Sequence, residues 1–170
     1  MTVLETERLY LRPLSFDEAP FILRLLNEPS FLENIGDKQV RTLDDANAYL
    51  MTGPMNSHEK YGFGLDCVEL KESGNPIGIC GVLKRPTLED VDIGYAFLPE
   101  FWAKGYAREA VSAVLAETKE KFNWPRIAAI VNTDNKKSIR LLEGLGFRYK
   151  KMLCLPQENK KVKLYILILS

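Results

Sequence analysis

Three apolar-rich segments follow one another between residues 61 and 98 with no helix between them, and this run limits the folds open to the chain more than any other stretch. Tyr61–Leu70 and Pro76–Lys84 predict two strands joined by the hairpin turn Glu72-Ser73-Gly74-Asn75. Val91–Leu98 predicts a third, with Val91, Ile93, Tyr95 and Phe97 on one face and Asp92, Gly94 and Ala96 on the other. Such a meander speaks against a doubly wound sheet, which alternates strand and helix throughout.

The rest of the chain adds helices on both sides of this meander. Leu9 and Leu11, continuing toward Leu14, alternate with polar residues as a first strand that Pro13 ends. Ser15-Phe16-Asp17-Glu18 and Thr42-Leu43-Asp44-Asp45 each have the pattern of a capped helix start. The first of these helices extends to Pro29, and the second runs toward Leu50 and stops at Gly53-Pro54. Downstream, the strongest helix spans about Gly105 to Phe122, with Ala107, Ala110, Val111, Val114, Leu115 and Phe122 at helical spacing. Ile127–Val131 is a buried-looking strand, and Asp134 or Asn135 caps a short helix over Lys136–Glu143 that ends at Gly144 and Gly146. Phe147–Leu155 and Val162–Leu169 are the last strands. The order β-α-α-β-β-β-α-β-α-β-β describes one α/β (α+β) domain over residues 1–170.

Charge and cysteine usage exclude some functions. Lys plus Arg number 23 and Asp plus Glu number 23, so the basic excess of a nucleic-acid binder is missing. Cys67, Cys80 and Cys154 have no CxxC or Cys/His spacing, so they read as buried free thiols and not as metal ligands. The first residues lack a basic segment followed by an apolar core, and no apolar run approaches the ~18 residues of a membrane span. A cytoplasmic protein without membrane or metal partners is expected.

The strand Val91–Leu98 leads through Pro99-Glu100-Phe101 into the turn Trp102-Ala103-Lys104-Gly105-Tyr106-Ala107, which opens the long helix. The first N–H groups of a helix have no intrahelical partner and carry the positive end of its dipole, which suits a diphosphate. Gly105 lets backbone approach phosphate closely, Ala107 is small, and Lys104 and Arg108 add positive charge. Neither a Walker A lysine nor a GxGxxG fingerprint is present. Taken alone, the turn is equally well an ordinary helix start.

Trp102 to Ala107 resembles the Gln/Arg-x-x-Gly-x-Gly/Ala hallmark of the GNAT superfamily of acetyltransferases, with Trp102 in place of Gln or Arg. The run aromatic-Trp-x-Lys-Gly-Tyr is similar to the form used by the branch of ribosomal-protein N-terminal acetyltransferases. Thr6-Glu7-Arg8-Leu9-Tyr10-Leu11-Arg12, Ile93-Gly94-Tyr95, Glu109-Ala110, Asn135-x-x-Ser138 and Leu145-Gly146-Phe147 resemble that branch in the same order. The resemblance implies a mixed, mostly antiparallel sheet flanked by about four helices, with acetyl-CoA as co-substrate. It places the diphosphate on Lys104, Gly105, Tyr106, Ala107 and Arg108, and the pantetheine arm on backbone groups near Phe97 and Leu98, where the family's fourth strand splays from its fifth. Asn135 matches the asparagine that contacts coenzyme A, and it equally suits a helix N-cap.

Acetyl transfer to an amine needs a neutral amine, a stabilised oxyanion and a protonated or held thiolate. Direct attack needs no cysteine nucleophile. The only histidine, His58, lies in a polar stretch and reads as a solvated loop residue. The tyrosine acid of many family members is absent, because Leu141 and Leu142 occupy its region. Ser138 matches a serine the branch places beside the sulfur; it is either the proton donor or a helix-start residue bonding its own backbone. Asp92 is the candidate base, and a salt bridge to a nearby Arg or Lys is the alternative role. The expected activity is N-acetylation of a primary amine on a peptide N-terminus or a small molecule. The alternatives are a non-catalytic acyl-CoA-binding module and a nucleotide-binding regulator. Residues 16–56 should line the acceptor side, and the final strands could pair between subunits as a homodimer.

Overall fold

The computed structural model describes residues 3–155 and 159–169; Met1 and Thr2, at the start of the segment that lacks a basic and apolar leader pattern, lie outside them. One eight-stranded sheet organises the described residues, in the order β1-β2-β3-β4-β5-β6-β8-β7. Its strands are β1 (Leu4–Glu5), β2 (Leu9–Pro13), β3 (Leu65–Leu70), β4 (Pro76–Leu83), β5 (Asp92–Phe97), β6 (Arg126–Asn132), β7 (Arg148–Leu155) and β8 (Lys160–Ile168). Every neighbouring pair is antiparallel except β5 and β6, which run parallel. That exception follows from the crossover through α5 (Tyr106–Lys121), because parallel neighbours need a long connection.

Strand alternation splits the core into two layers. Val68, Cys80, Ile93 and Phe97 pack with Val111, Val114 and Leu115 of α5 on one face. Cys67, Ile79 and Leu98 pack with Ile22, Leu25 and Leu50 on the other, under α1 (Ala19–Leu26) and α3 (Leu43–Leu50). Cys67 and Cys80 are buried as expected, whereas Cys154 on β7 is exposed.

The helical segment before β3 departs from the sequence-based expectation in three ways. Ser15 and Glu18 do form a reciprocal capping box, but it opens a short 3-10 turn, Phe16–Glu18, ahead of α1. Pro29 does not merely close a helix; it starts α2 (Pro29–Asn34) from the first turn, where its missing N–H costs nothing. Gly53-Pro54 does not stop the chain's helical course. Pro54 cannot donate to a carbonyl four residues back, and the backbone widens into a π turn over Met51–Met55 that continues into α4 (Asn56–Tyr61). Gly62, at φ +80, ends α4 in the left-handed region, so β3 begins at Leu65 and not at Tyr61. The last helix, α6 (Lys136–Gly144), lies where the glycine stop signals put it. Six α-helices thus surround the sheet among the described residues, against about four expected.

Candidate active site

β5 and β6 share one backbone register pair, Asp92 with Ala128, fixed by the Ala128 N–H donating to the Val91 carbonyl at 2.9 Å. Beyond that vertex the two strands part. On its other side β5 stays paired with β4, and the Leu98 N–H donates to the Ile77 carbonyl at 2.9 Å. Antiparallel alternation then turns the amides of Tyr95 and Phe97 toward the gap. The pairing places these two residues, and not Leu98, beside the opening: Leu98 is buried in the core under α1, while Tyr95 and Phe97 line the cleft. Backbone amides at a parted strand edge need a partner, and a ligand that itself carries amides satisfies them.

The cleft between the strands has a volume of about 1230 Å³ and extends from the N-terminus of α5 to the helices α2, α3 and α4. At its α5 end, Gly105 (φ +83) is the N-cap, and Ala103 before it also has positive φ, at +60. Both residues turn the chain sharply so that the first N–H groups of α5 face the cleft, where Gly105, Tyr106, Ala107 and Arg108 line the wall. Lys104 lies outside the lining; its carbonyl accepts from Arg8 Nη1 at 2.9 Å and its ammonium lies over the Phe101 ring. Lys136, Lys137 and Arg140 of α6 add positive charge to this end.

Two sequence motifs of no evident role meet behind this turn. Glu109, in the first turn of α5, accepts from the Arg8 N–H (2.9 Å), from Arg8 Nε (2.7 Å) and from the Thr6 hydroxyl. These bonds hold the Glu109 carboxyl below its ordinary range against the opposing effect of burial. The Arg8 guanidinium also stacks over the Tyr106 ring, 4.3 Å from its centre. The Thr-Glu-Arg segment and the helix glutamate thus form one brace that fixes the start of α5. Trp102 adds a second: its indole N–H donates to the Phe97 carbonyl at 2.9 Å, tying the turn to the end of β5. An aromatic at this position does this work without a Gln or Arg side chain.

Asn135 caps α6, its side chain accepting from the Ser138 N–H at 3.3 Å, and it also lines the cleft. Ser138 faces the gap and shares a short hydrogen bond with the Tyr95 hydroxyl. Burial pushes the Tyr95 phenol up to about 12, so it stays protonated and can donate to Ser138. Tyr95 went unnoticed in the sequence as a polar group, since strand alternation placed it only on an apolar face; its partner lies 43 residues away.

Asp92 is fully buried at the vertex and lines the cleft. Both of its oxygens accept from Arg85 Nε at 3.1 Å, so the anticipated salt bridge exists, together with the burial expected of a base. Burial pushes the Asp92 carboxyl up to about 6 although Arg85 opposes the rise. A carboxylate of this basicity is ionised near neutral pH and accepts a proton more readily than an ordinary one. His58 is not a solvated loop residue. It lies on α4 with Nε2 2.9 Å from Asp66, away from the main cleft, and Asp66 raises its pKa. No group of three or more His, Cys, Asp or Glu side chains able to hold a metal occurs among the described residues, and no helix is long and apolar enough to cross a membrane.

Residues 8–148 match the family described as acetyltransferase (GNAT) domain. The chain belongs to the GNAT acetyltransferases. Among curated relatives of this acetyltransferase, YkkB of Bacillus subtilis is 30% identical over 96% of this chain and 94% of its own. The solved acetyltransferase from Agrobacterium tumefaciens superposes with a TM-score of 0.83 at 24% identity, covering 98% of this chain and 94% of that one. RimL, a ribosomal L7/L12 alpha-N-protein acetyltransferase solved in complex with coenzyme A, superposes with a TM-score of 0.82 at 15% identity over 98% of each chain. At these identities the solved structures establish the shared fold.

Proposed function

We propose that this N-acetyltransferase moves the acetyl group of acetyl-CoA directly onto a primary amine, of a peptide N-terminus or a small molecule, in the cleft between β5 and β6. The observation that carries the reading is the geometry of that cleft: parted strands with free amides, a helix N-terminus at one end and a buried carboxylate at the vertex. The N–H groups at the start of α5 receive the diphosphate, assisted by Arg108 and the lysines of α6. Tyr95 and Phe97 offer their amides to the pantetheine arm, and Asn135 borders it. A fold relative was solved in complex with coenzyme A, which supports coenzyme A as the ligand here.

Asp92 takes the proton that the amine loses as its nitrogen bonds to the acetyl carbon. The carbon–sulfur bond then breaks, and Ser138, held by Tyr95, donates a proton to the departing thiolate. Tyr95 is the end of this two-member chain, because its O–H directed at Ser138 leaves the serine O–H free for the sulfur. The likeness to a ribosomal-protein acetyltransferase favours peptide α-amines as one acceptor class. Calorimetry with coenzyme A, combined with thiol release from acetyl-CoA in the presence of an amine and peptide panel, tests the proposal. Coenzyme A binding with amine-dependent thiol release is expected. Binding without any amine-dependent release would leave only an acyl-CoA module.

A further inference from the structure

Arg85 does more than neutralise Asp92. It engages both Asp92 oxygens through Nε alone, at 3.1 Å each. Its two terminal nitrogens have no partner among the described residues, its side chain is one-third exposed, and it lines the cleft. A guanidinium held by Nε presents its two terminal nitrogens as a flat pair of donors, the arrangement that matches a carboxylate. A second donor stands nearby. Tyr49 of α3 lines the same part of the cleft, and its hydroxyl has no hydrogen-bond partner among the described residues. Burial pushes the Tyr49 phenol up to about 12 while Arg85 is close enough to oppose the rise, so this O–H remains a donor at all working pH values.

The charges around this end of the cleft agree. Asp92 is already matched by Arg85, and Glu28 by Arg24 at 3.4 Å, whereas Lys60 and Lys84 also line the cleft. Glu33 lies exposed at the rim. An incoming amine at Asp92 therefore sits between an acceptor, Asp92, and donors that Asp92 does not use, the terminal nitrogens of Arg85 and the Tyr49 hydroxyl.

We propose that the acceptor amine carries a carboxylate a few bonds from its nitrogen, and that Arg85 and Tyr49 hold this carboxylate while the nitrogen faces Asp92. The inference rests on the cleft being the acetyl-transfer site. The carboxylate can come from a free amino acid or from an acidic residue at the start of a peptide, and the two sources are separable in one experiment. Each of several amino acids is compared with its amide and with the amine lacking the carboxyl group, and peptides beginning with Asp or Glu are compared with those beginning with Asn or Gln. Product is read by mass spectrometry and rates by thiol release from acetyl-CoA.

A kcat/KM at least tenfold higher for the acidic member of a pair is expected, since only the carboxylate makes charge-assisted hydrogen bonds to the guanidinium. Which pair shows it identifies the source. Tyr49→Phe, which does not touch Asp92, should raise KM several-fold for the acidic acceptor and leave the amide acceptor unchanged. Arg85→Lys should retain part of the preference and Arg85→Gln abolish it. Equal kcat/KM for acid and amide, or an equal effect of Tyr49→Phe on both, would overturn the carboxylate subsite while acetyl transfer stands. Failure to acetylate any amine, with coenzyme A still bound, would instead remove the transferase reading and this inference with it.

Discussion

Replacing Asp92 by Asn separates the chemistry of the vertex from its packing. Asp92 is fully buried, and its carboxyl lies at about 6 against an ordinary value of 3.8. A rise of that size corresponds to roughly 3 kcal/mol by which the fold disfavours the ionised form. The sign follows from proton binding. Below pH 4 the group is protonated in both folded and unfolded chains and has no differential effect. Between about pH 4 and 6 the unfolded chain loses its proton first, so stability falls through that window and is level above it. An amide in place of the carboxylate has no charge to bury, and Arg85, one-third exposed, can turn to water. Asp92→Asn should therefore melt at or above the parent at pH 7.5, by up to ~10 °C for a domain of this size. It should also lose the stability change between pH 4 and 6. Activity should move the other way. The parent's kcat/KM should fall about tenfold per pH unit below its limb near 6, and the variant should lack the limb and lose ~10²–10³-fold at pH 7.5. Thermal melts and thiol-release kinetics across pH 4–9 read both. A variant retaining the limb would refute Asp92 as base, and one melting several degrees lower would refute the cost of its burial.

Gly105→Val should weaken coenzyme A binding at least tenfold by calorimetry. It should also lower the melting temperature by a few degrees, because φ +83 costs a side-chain-bearing residue about 1–2 kcal/mol and the new Cβ meets Arg8 Nη2 at 3.3 Å. Tyr95→Phe and Ser138→Ala should each lower kcat about tenfold or more with little change in coenzyme A affinity, and the double variant should be no worse than Ser138→Ala, as a cycle of kinetic measurements would show. His58, whose pKa is raised by Asp66, stabilises the fold fully below the ordinary histidine range and less as pH rises through its folded value. His58→Gln should accordingly lower the melting temperature at pH 5.5 more than at pH 9.

Much of the fold was legible because its signals are local. The alternation of residues 91–98 put Asp92, Gly94 and Ala96 opposite Tyr95 and Phe97, and the core layers follow that division. The capping residues Ser15, Thr42 and Asn135 all make the side-chain bonds their identities suggested. The misreadings lie where a local signal has two outcomes. Gly53-Pro54 ends a helix in most contexts, yet here a π turn absorbs the missing N–H and α4 follows. The Leu98 amide pairs with Ile77 of β4 while those of Tyr95 and Phe97 turn to the gap, because the direction of a strand amide depends on which neighbour it pairs with.

By itself, the sequence determined the order of elements, the glycine at the start of the long helix and the carboxylate on β5. Each of these depends on residues within about a turn or a few strand positions of one another. Only the tertiary structure decided which polar groups meet. The pairing of Leu83 with Asp92 brings Arg85 beside the carboxylate, the packing of α6 on β6 brings Ser138 to Tyr95, and the fold of the N-terminal strands brings Arg8 to Glu109. Those contacts span from seven to 101 residues of chain. They are set by register and by packing between layers, which no local periodicity encodes.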